Sequence, residues 1–276
     1  MRIDVKKTYK LYINGAFPRS ESGRVFEVKN SKGEFIANPC LASRKDLRDA
    51  VVAARAAQSG WAKSTAYLRG QILYRIAEMA EGRKEQLIDE VSVTEKVTKA
   101  VATKLVETAI DRWVWYAGWS DKLSSIFGAT NQVSGPYYNF TIPEPQGVIT
   151  VTADSLLTFV ESVGAAVCSG NSVIALVGGG AAIPVMTFAE VISTSDVPNG
   201  VINILTGSLD ELTPWAASHM DVDGLDITAI SQKKRAELIA AAAENLKRVH
   251  AFDKGQSPTR VIAFMEAKTV WHPIGV

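Results

Sequence analysis

Between residues 147 and 245 short apolar runs alternate with helical ones, and few folds accommodate that rhythm. Residues 147–151, 172–177, 201–205 and 224–228 read as strands, while 156–167, 183–193, 209–219 and 232–245 read as helices. Strands joined through helices run parallel, because a parallel return needs a crossover connection. Such strands carry apolar side chains on both faces and must be covered on both. The expectation is an α/β domain, a Rossmann-like doubly wound parallel sheet.

Ahead of that region the pattern is helical. Lys10-Leu11-Tyr12-Ile13, Asn14-Gly15 and Ala16-Phe17 read as strand, tight turn and strand. Ser43 is then placed as an N-cap with Asp46 three positions on, and Leu47, Ala50, Val51, Ala54 and Ala57 recur at helical spacing, predicting a helix over 44–58. A second helix is expected from Thr65 to Gly82, a third over 84–93 and a fourth over 95–125. Residues 131–145 change character. Ser134-Gly135-Pro136 signals a turn, Tyr137 to Ile142 favours a strand, and Pro143 and Pro145 should disrupt regular pairing, so an exposed β-ribbon is expected.

Charge excludes several functions. Thirty Lys and Arg against 29 Asp and Glu leave +1, with no excess to attract nucleic acid or an anionic membrane. The runs Lys6-Lys7 and Lys233-Lys234-Arg235 are short enough to be solvated surface. Cys40 and Cys168 lack the spacing of a zinc site or a disulfide framework, which points to reduced thiols. The first residues have no apolar core of signal-peptide length, and the stretch 156–180 is interrupted by Glu161, Asn171 and glycines, so no membrane span is expected. A soluble, cytoplasmic protein is the expectation.

Several blocks carry a family resemblance. They are Leu11-Tyr12-Ile13-Asn14-Gly15, the helix end at Ala53 to Trp61, Arg69 to Ala80, Glu144-Pro145-Gln146-Gly147-Val148-Ile149, Gly170-Asn171-Ser172-Val173, Pro198 to Gly207, and Asn245-Leu246-Lys247-Arg248-Val249. In order and spacing they resemble the amino-terminal, cofactor-binding half of the aldehyde dehydrogenase superfamily. The resemblance implies an NAD(P)-dependent oxidation of aldehydes, with a cysteine nucleophile, a glutamate base and an asparagine at the oxyanion hole. It also implies that Gly207, Ser208 and Thr228 are the residues left to bind NAD or NADP.

The same comparison exposes departures. Where the family has Pro-Trp-Asn after the strand begun by Gly147, this chain has Thr150-Val151-Thr152-Ala153-Asp154-Ser155, and Asp154 would repel an oxyanion. The lysine that holds the cofactor's ribose aligns with Leu176. Thr206-Gly207-Ser208 keeps the first glycine of the phosphate turn, but Leu209-Asp210-Glu211 brings two acids to the helix start. The Phe-Thr-Gly-Ser stretch aligns with Ile227-Thr228-Ala229-Ile230. The base glutamate aligns with Phe252, which takes no proton, and Asp253 beside it is expected on the opposite face of a strand. After Ser257-Pro258 the cysteine-bearing domain should follow, yet residues 262–273 resemble the family's carboxy-terminal oligomerisation strand.

No catalytic or metal residue is therefore assigned. Cys168, among Ala165, Ala166 and Val167, reads as a packed neutral thiol, His219 as a helix-end group, and Trp113, Trp115, Tyr116 and Trp119 as packing; His250 and His272 lack metal-ligand partners. Gly178-Gly179-Gly180 is either a phosphate cradle or a flexible loop. The expected organisation is a discontinuous NAD(P)-binding-like unit, 1–130 and 147–258, with oligomerisation elements 131–146 and 259–276. The leading expectation is a non-catalytic assembly or accessory subunit, a homo-oligomer or a hetero-oligomer with a full-length aldehyde dehydrogenase. The alternatives are an oxidoreductase completed by a partner chain and a nucleotide-sensing module.

Overall fold

A computed structural model describes residue 3, residues 5–253 and residues 255–275. Met1, Arg2 and Asp4 in the stretch read for a signal peptide, Lys254 in the stretch compared with the family's base, and Val276 lie outside the described residues.

The chain opens on Tyr12-Ile13-Asn14-Gly15-Ala16, where the expected hairpin is reduced to a single bridge, Ile13 to Ala16. Asn14 and Gly15 both take positive φ, 53° and 75°, as a two-residue turn of this hand requires. The next rung keeps only the Leu11 amide donating to the Pro18 carbonyl at 3.0 Å, because Pro18 has no N–H to return, while Tyr12 points to the other side and exchanges backbone hydrogen bonds of 3.0 and 2.7 Å with Ile204. A small hairpin follows, β1 (Val28–Lys29) with β2 (Phe35–Ala37).

Four long helices come next: α1 (Arg44–Lys63), α2 (Ala66–Glu81), α3 (Lys84–Thr94) and α4 (Lys99–Trp119). The capping box at Ser43 is present, its hydroxyl accepting from the Lys45 and Asp46 amides while Asp46 accepts from the Ser43 amide at 2.7 Å. α1 runs past its expected end because Trp61 is buried and its indole donates to the Val167 carbonyl at 3.0 Å. The single helix expected over 95–125 is instead broken at both ends. Lys96 adopts φ 59°, so the helix starts only after Thr98 caps it, and a separate short α5 (Leu123–Phe127) follows Trp119.

The ribbon comprises β3 (Ala129–Asn131) and β4 (Tyr137–Pro145). Then come β5 (Val148–Ala153), α6 (Leu156–Cys168), β6 (Ser172–Val177), α7 (Ala182–Ile192), β7 (Ile202–Thr206), α8 (Leu209–Ser218), β8 (Gly224–Asp226), α9 (Gln232–Ala243) and β9 (Arg248–His250), closing with α10 (Thr259–Ile262) and β10 (Met265–Pro273). The main sheet is parallel, in the order β7-β6-β5-β8-β9. The doubly wound α/β fold expected from the alternation is present. β8 stops at Asp226 rather than Thr228, and β9 is a strand the sequence reading did not mark.

Each face of the sheet has its own core. Trp113, Phe159 and Phe188 gather α2, α3, α4, α6 and α7 on one side; Leu47, Leu176, Leu212 and Leu238 gather α1, α8 and α9 on the other. The glycine run is a turn packed into this body. A Cβ on Gly180 would stand 2.0 Å from the Thr94 carbonyl oxygen, so that glycine admits the end of α3.

In the second sheet the ribbon expected over 131–145 and the terminal strand pair with each other. β10 runs antiparallel to β4 from Met265 opposite Pro145 to Pro273 opposite Tyr137, and β3 lies on the far side of β4. Pro143 and Pro145 are tolerated because β3 reaches only to Thr141, leaving β4 free on that side where its proline nitrogens cannot donate.

The two sheets meet at Asn171, which is fully buried. Its side-chain oxygen accepts from the Gly147 amide at 2.7 Å, and its amide donates to Ser169 Oγ and the Phe264 carbonyl, both at 2.9 Å. Asn171→Ala should lower stability by about 2–4 kcal/mol, since it leaves the buried Gly147 amide without an acceptor and removes one of the two donors to the Phe264 carbonyl. Urea unfolding checks this, with a loss below about 1 kcal/mol contradicting it.

Candidate functional site

In an open parallel sheet, ligands bind beyond the carboxyl ends of the strands where neighbouring connections diverge. Here that point lies at β5, flanked by β6 and β8. A cavity of about 650 Å³ opens beside it, lined by Glu95, Arg112, Asp154, Thr158, Glu161 and Gly180 among others.

Its polar groups come from three helices. Ser155 follows β5 and caps α6, its hydroxyl accepting from the Thr158 amide at 3.2 Å. Asp154 is exposed at the mouth. Glu95, just past α3, accepts from the Leu156 amide at 2.7 Å. Burial raises the Glu95 carboxyl to about 7, and the charge of Asp154 adds to the rise while the Leu156 hydrogen bond opposes it. Deeper in, Glu161 is the one charged residue on α6. It bridges Arg112 Nε at 3.3 Å and Arg260 Nη1 at 3.4 Å, and the Arg260 guanidinium lies over the Phe252 ring, 4.8 Å from its centre. The crevice thus offers one carboxyl that exchanges its proton near neutrality and a nearly buried ion triad.

A nucleophile is not among these groups. Cys168 is fully buried, its thiol donates to the Tyr116 carbonyl at 3.2 Å, and burial pushes it up to about 12. Cys40 is buried as well. Phe252 follows the end of β9, half-buried between His250 and Phe264. Asp253 is exposed, and because residues 251–253 form no strand, strand alternation does not set its direction. Among the described residues no cluster of His, Cys, Asp or Glu could hold a metal, and no helix is long and apolar enough to cross a membrane.

The residues singled out for a dinucleotide stand apart. Gly207 and Ser208 follow β7, whereas Thr228 follows β8, with β6 and β5 between. A Cβ on Gly207 would lie 3.2 Å from both the Ala42 nitrogen and Leu41 Cδ1, so its open side faces backbone already in place. Ser208 caps α8, accepting from the Glu211 amide at 3.2 Å. The Thr228 hydroxyl accepts from the Phe252 amide at 3.0 Å and donates to Asp226. Leu176 is fully buried with Leu205 and Leu212. The acids at the α8 start are neutralised, Asp210 by Lys234 at 2.6 Å and Glu211 by Arg24 at 2.7 Å, which also occupies those two cations. This set fits a dinucleotide diphosphate poorly.

Sequence reading missed Glu95 and the Arg112, Glu161, Arg260 triad. Glu161 was visible as an acid interrupting an apolar helix, but its partners lie far along the chain.

The fold and this crevice define a protein of the dinucleotide-domain class. The aldehyde dehydrogenase family profile matches residues 17–272, and the chain belongs to that family. It is 33% identical over 270 residues to human retinal dehydrogenase 2, covering 95% of this chain and 51% of the relative. It is 32% identical over 260 residues to the mitochondrial benzaldehyde dehydrogenase of Antirrhinum majus, covering 90% of this chain and 47% of the relative. The NAD+ complex of an aldehyde dehydrogenase from Bacillus cereus superposes with a TM-score of 0.80 at 26% identity, over 88% of this chain and 50% of the other. The chain spans about half the length of the curated relatives it matches.

Two outcomes follow. A carboxyl whose folded value is raised destabilises the fold as pH climbs from its ordinary 4.5 to about 7. Glu95→Gln keeps the acceptor for Leu156, so at pH 8 it should be more stable than the wild type by about 1–3 kcal/mol and near equal at pH 4. A pH series of urea midpoints reads this, and equal midpoints throughout would contradict it. Leu176→Lys, which reinstates the family's cation, should destabilise by about 2–4 kcal/mol without gaining affinity for NAD, because it buries a charge in the core. A variant that folds normally and binds NAD tightly would refute that.

Proposed function

We propose that this chain is a non-catalytic member of its family, acting as an assembly or accessory subunit. The observation that carries the reading is the internal passage from Ser257-Pro258 through α10 into β10, which pairs along the whole of β4. On the resemblance, the cysteine-bearing domain belongs at that junction. Phe252 at the base position, the lack of an asparagine over Thr150–Ser155, where Asp154 would repel an oxyanion, and two buried thiols support the same reading.

NAD or NADP binding is weak or lost on this reading. The support is physical: Thr228 hydrogen-bonds within the fold, Ser208 caps α8, Leu176 replaces a cation, and Lys234 and Arg24 are paired with acids. The assembly is a homo-oligomer or a hetero-oligomer with a full-length aldehyde dehydrogenase, formed through the sheet of β10, β4 and β3. Two reduced cysteines are in keeping with a cytoplasmic location. The balanced charge gives no support to a nucleic-acid or membrane partner.

The purified chain, incubated with a panel of aldehydes and either NAD or NADP, should form no reduced nicotinamide. Light scattering should give at least twice the chain mass, or co-expression with a full-length homologue should yield a stable complex. Turnover by the chain alone would overturn the non-catalytic reading. A monomer that also fails to join a homologue would overturn the assembly role.

A further inference from the structure

On the face of the parallel sheet away from the crevice, a second cavity of about 510 Å³ opens between the start of α1 and the end of α8. Arg44, Lys45 and Arg48 line it together with Trp215 and His219, and the buried Leu47 side chain adds an apolar wall. Among the described residues no carboxylate lines it. The crevice has the opposite character, with Glu95, Asp154 and Glu161 among its lining.

The charges of this wall do not cancel. Lys45 pairs with Glu21 at 3.1 Å and Arg48 with Asp49 at 2.8 Å, but Arg44 makes no ion pair among the described residues. Its guanidinium lies over the Trp215 ring instead, 3.9 Å from the centre, a contact that leaves its N–H donors uncommitted. His219 Nδ1 accepts from the Asp221 amide at 3.2 Å, so the neutral ring carries its proton on Nε2, which has no partner among the described residues. Three cations against two paired acids leave one positive charge, beside a free imidazole N–H and an indole with 41% of the Trp215 surface exposed.

We infer that this cavity is a binding site for a small organic monocarboxylate with an aromatic body. Arg44 donates to the carboxylate, His219 Nε2 offers a further N–H, and the aromatic body lies against the indole and Leu47. The single uncompensated charge selects a monoanion, because a phosphate monoester brings a second charge that no group here matches. The volume falls within the roughly 300–1,000 Å³ of small-molecule sites and exceeds what an inorganic anion fills. None of Gly207, Ser208, Thr228 and Leu176 lines the cavity. The site is therefore independent of the non-catalytic reading, and its failure would leave that reading standing.

Calorimetric titration of the intact chain with phenylacetate tests the site, with phenylacetamide as the uncharged isostere and phenyl phosphate as the dianion. Phenylacetate should bind at least about tenfold more tightly than phenylacetamide, and more tightly than phenyl phosphate. Arg44→Gln should weaken phenylacetate at least about tenfold with an unchanged melting midpoint, since Arg44 is exposed. A second readout is pH. Burial lowers the His219 imidazole, Asp221 opposes this, and Lys247 and Arg44 add to the lowering. A bound carboxylate favours the imidazolium, so affinity should rise as pH falls from about 7 to about 5.5, while phenylacetate stays ionised. Lys247, lowered by burial to about 8, keeps its charge over that range, and His219→Gln should abolish the rise. No binding of phenylacetate at millimolar concentration overturns the site. So does phenylacetamide or phenyl phosphate binding as tightly, or an affinity indifferent to both Arg44→Gln and pH.

Discussion

The side chain of Asn171 is the contact on which the two sheets depend. It holds the amide of Gly147, where β5 leaves the ribbon, and the carbonyl of Phe264, where the chain turns back into β10. The amide of Gln146 donates to that same carbonyl at 3.1 Å. One buried amide therefore fixes the angle at which the ribbon leaves the parallel sheet. In a low-dielectric setting such a group stabilises only when every partner is present, so the whole junction must form together.

From that junction the body is organised by its parallel sheet. β5 lies at the centre, and the two cores on its faces are each closed by helices that the crossovers supply. The crevice at the end of β5 keeps the location where this class of fold binds ligands, but its chemistry differs from what a diphosphate needs. Among the described residues, Glu95, Asp154 and Glu161 face one lining arginine, Arg112, and Glu161 is already bridged. The positions that resemble the family's cofactor contacts have been absorbed into caps, core packing and surface ion pairs. On the proposed reading the fold persists because its stability depends on packing and on the Asn171 junction, neither of which needs the active site.

Much of the architecture was legible from the sequence, for identifiable reasons. The strand and helix alternation after residue 147 was readable because both faces of a parallel sheet are apolar, and the Ser43 cap was readable because a capping box is local. What escaped depended on distant residues. Trp61 extends α1 because Val167 supplies its hydrogen-bond partner, and Tyr12, on the other edge of the hairpin strand, joins the edge of β7. The pairing of β10 with β4 joins residues more than a hundred positions apart, which no local pattern reveals. In the crevice the same holds: Glu161 was visible as an oddity, but Arg112 and Arg260 meet it only in the folded chain.

On the proposed reading the fold has outlived its cofactor chemistry and should be indifferent to the cofactor. Any ligand that binds the native state raises its stability by mass action, by about 2.7 kcal/mol at a hundredfold excess over Kd, which moves the melting midpoint by several degrees. Thermal unfolding with and without millimolar NAD or NADP is therefore the most direct measurement. The proposed reading requires an unchanged midpoint with either nucleotide, and a rise of several degrees with one of them would contradict it.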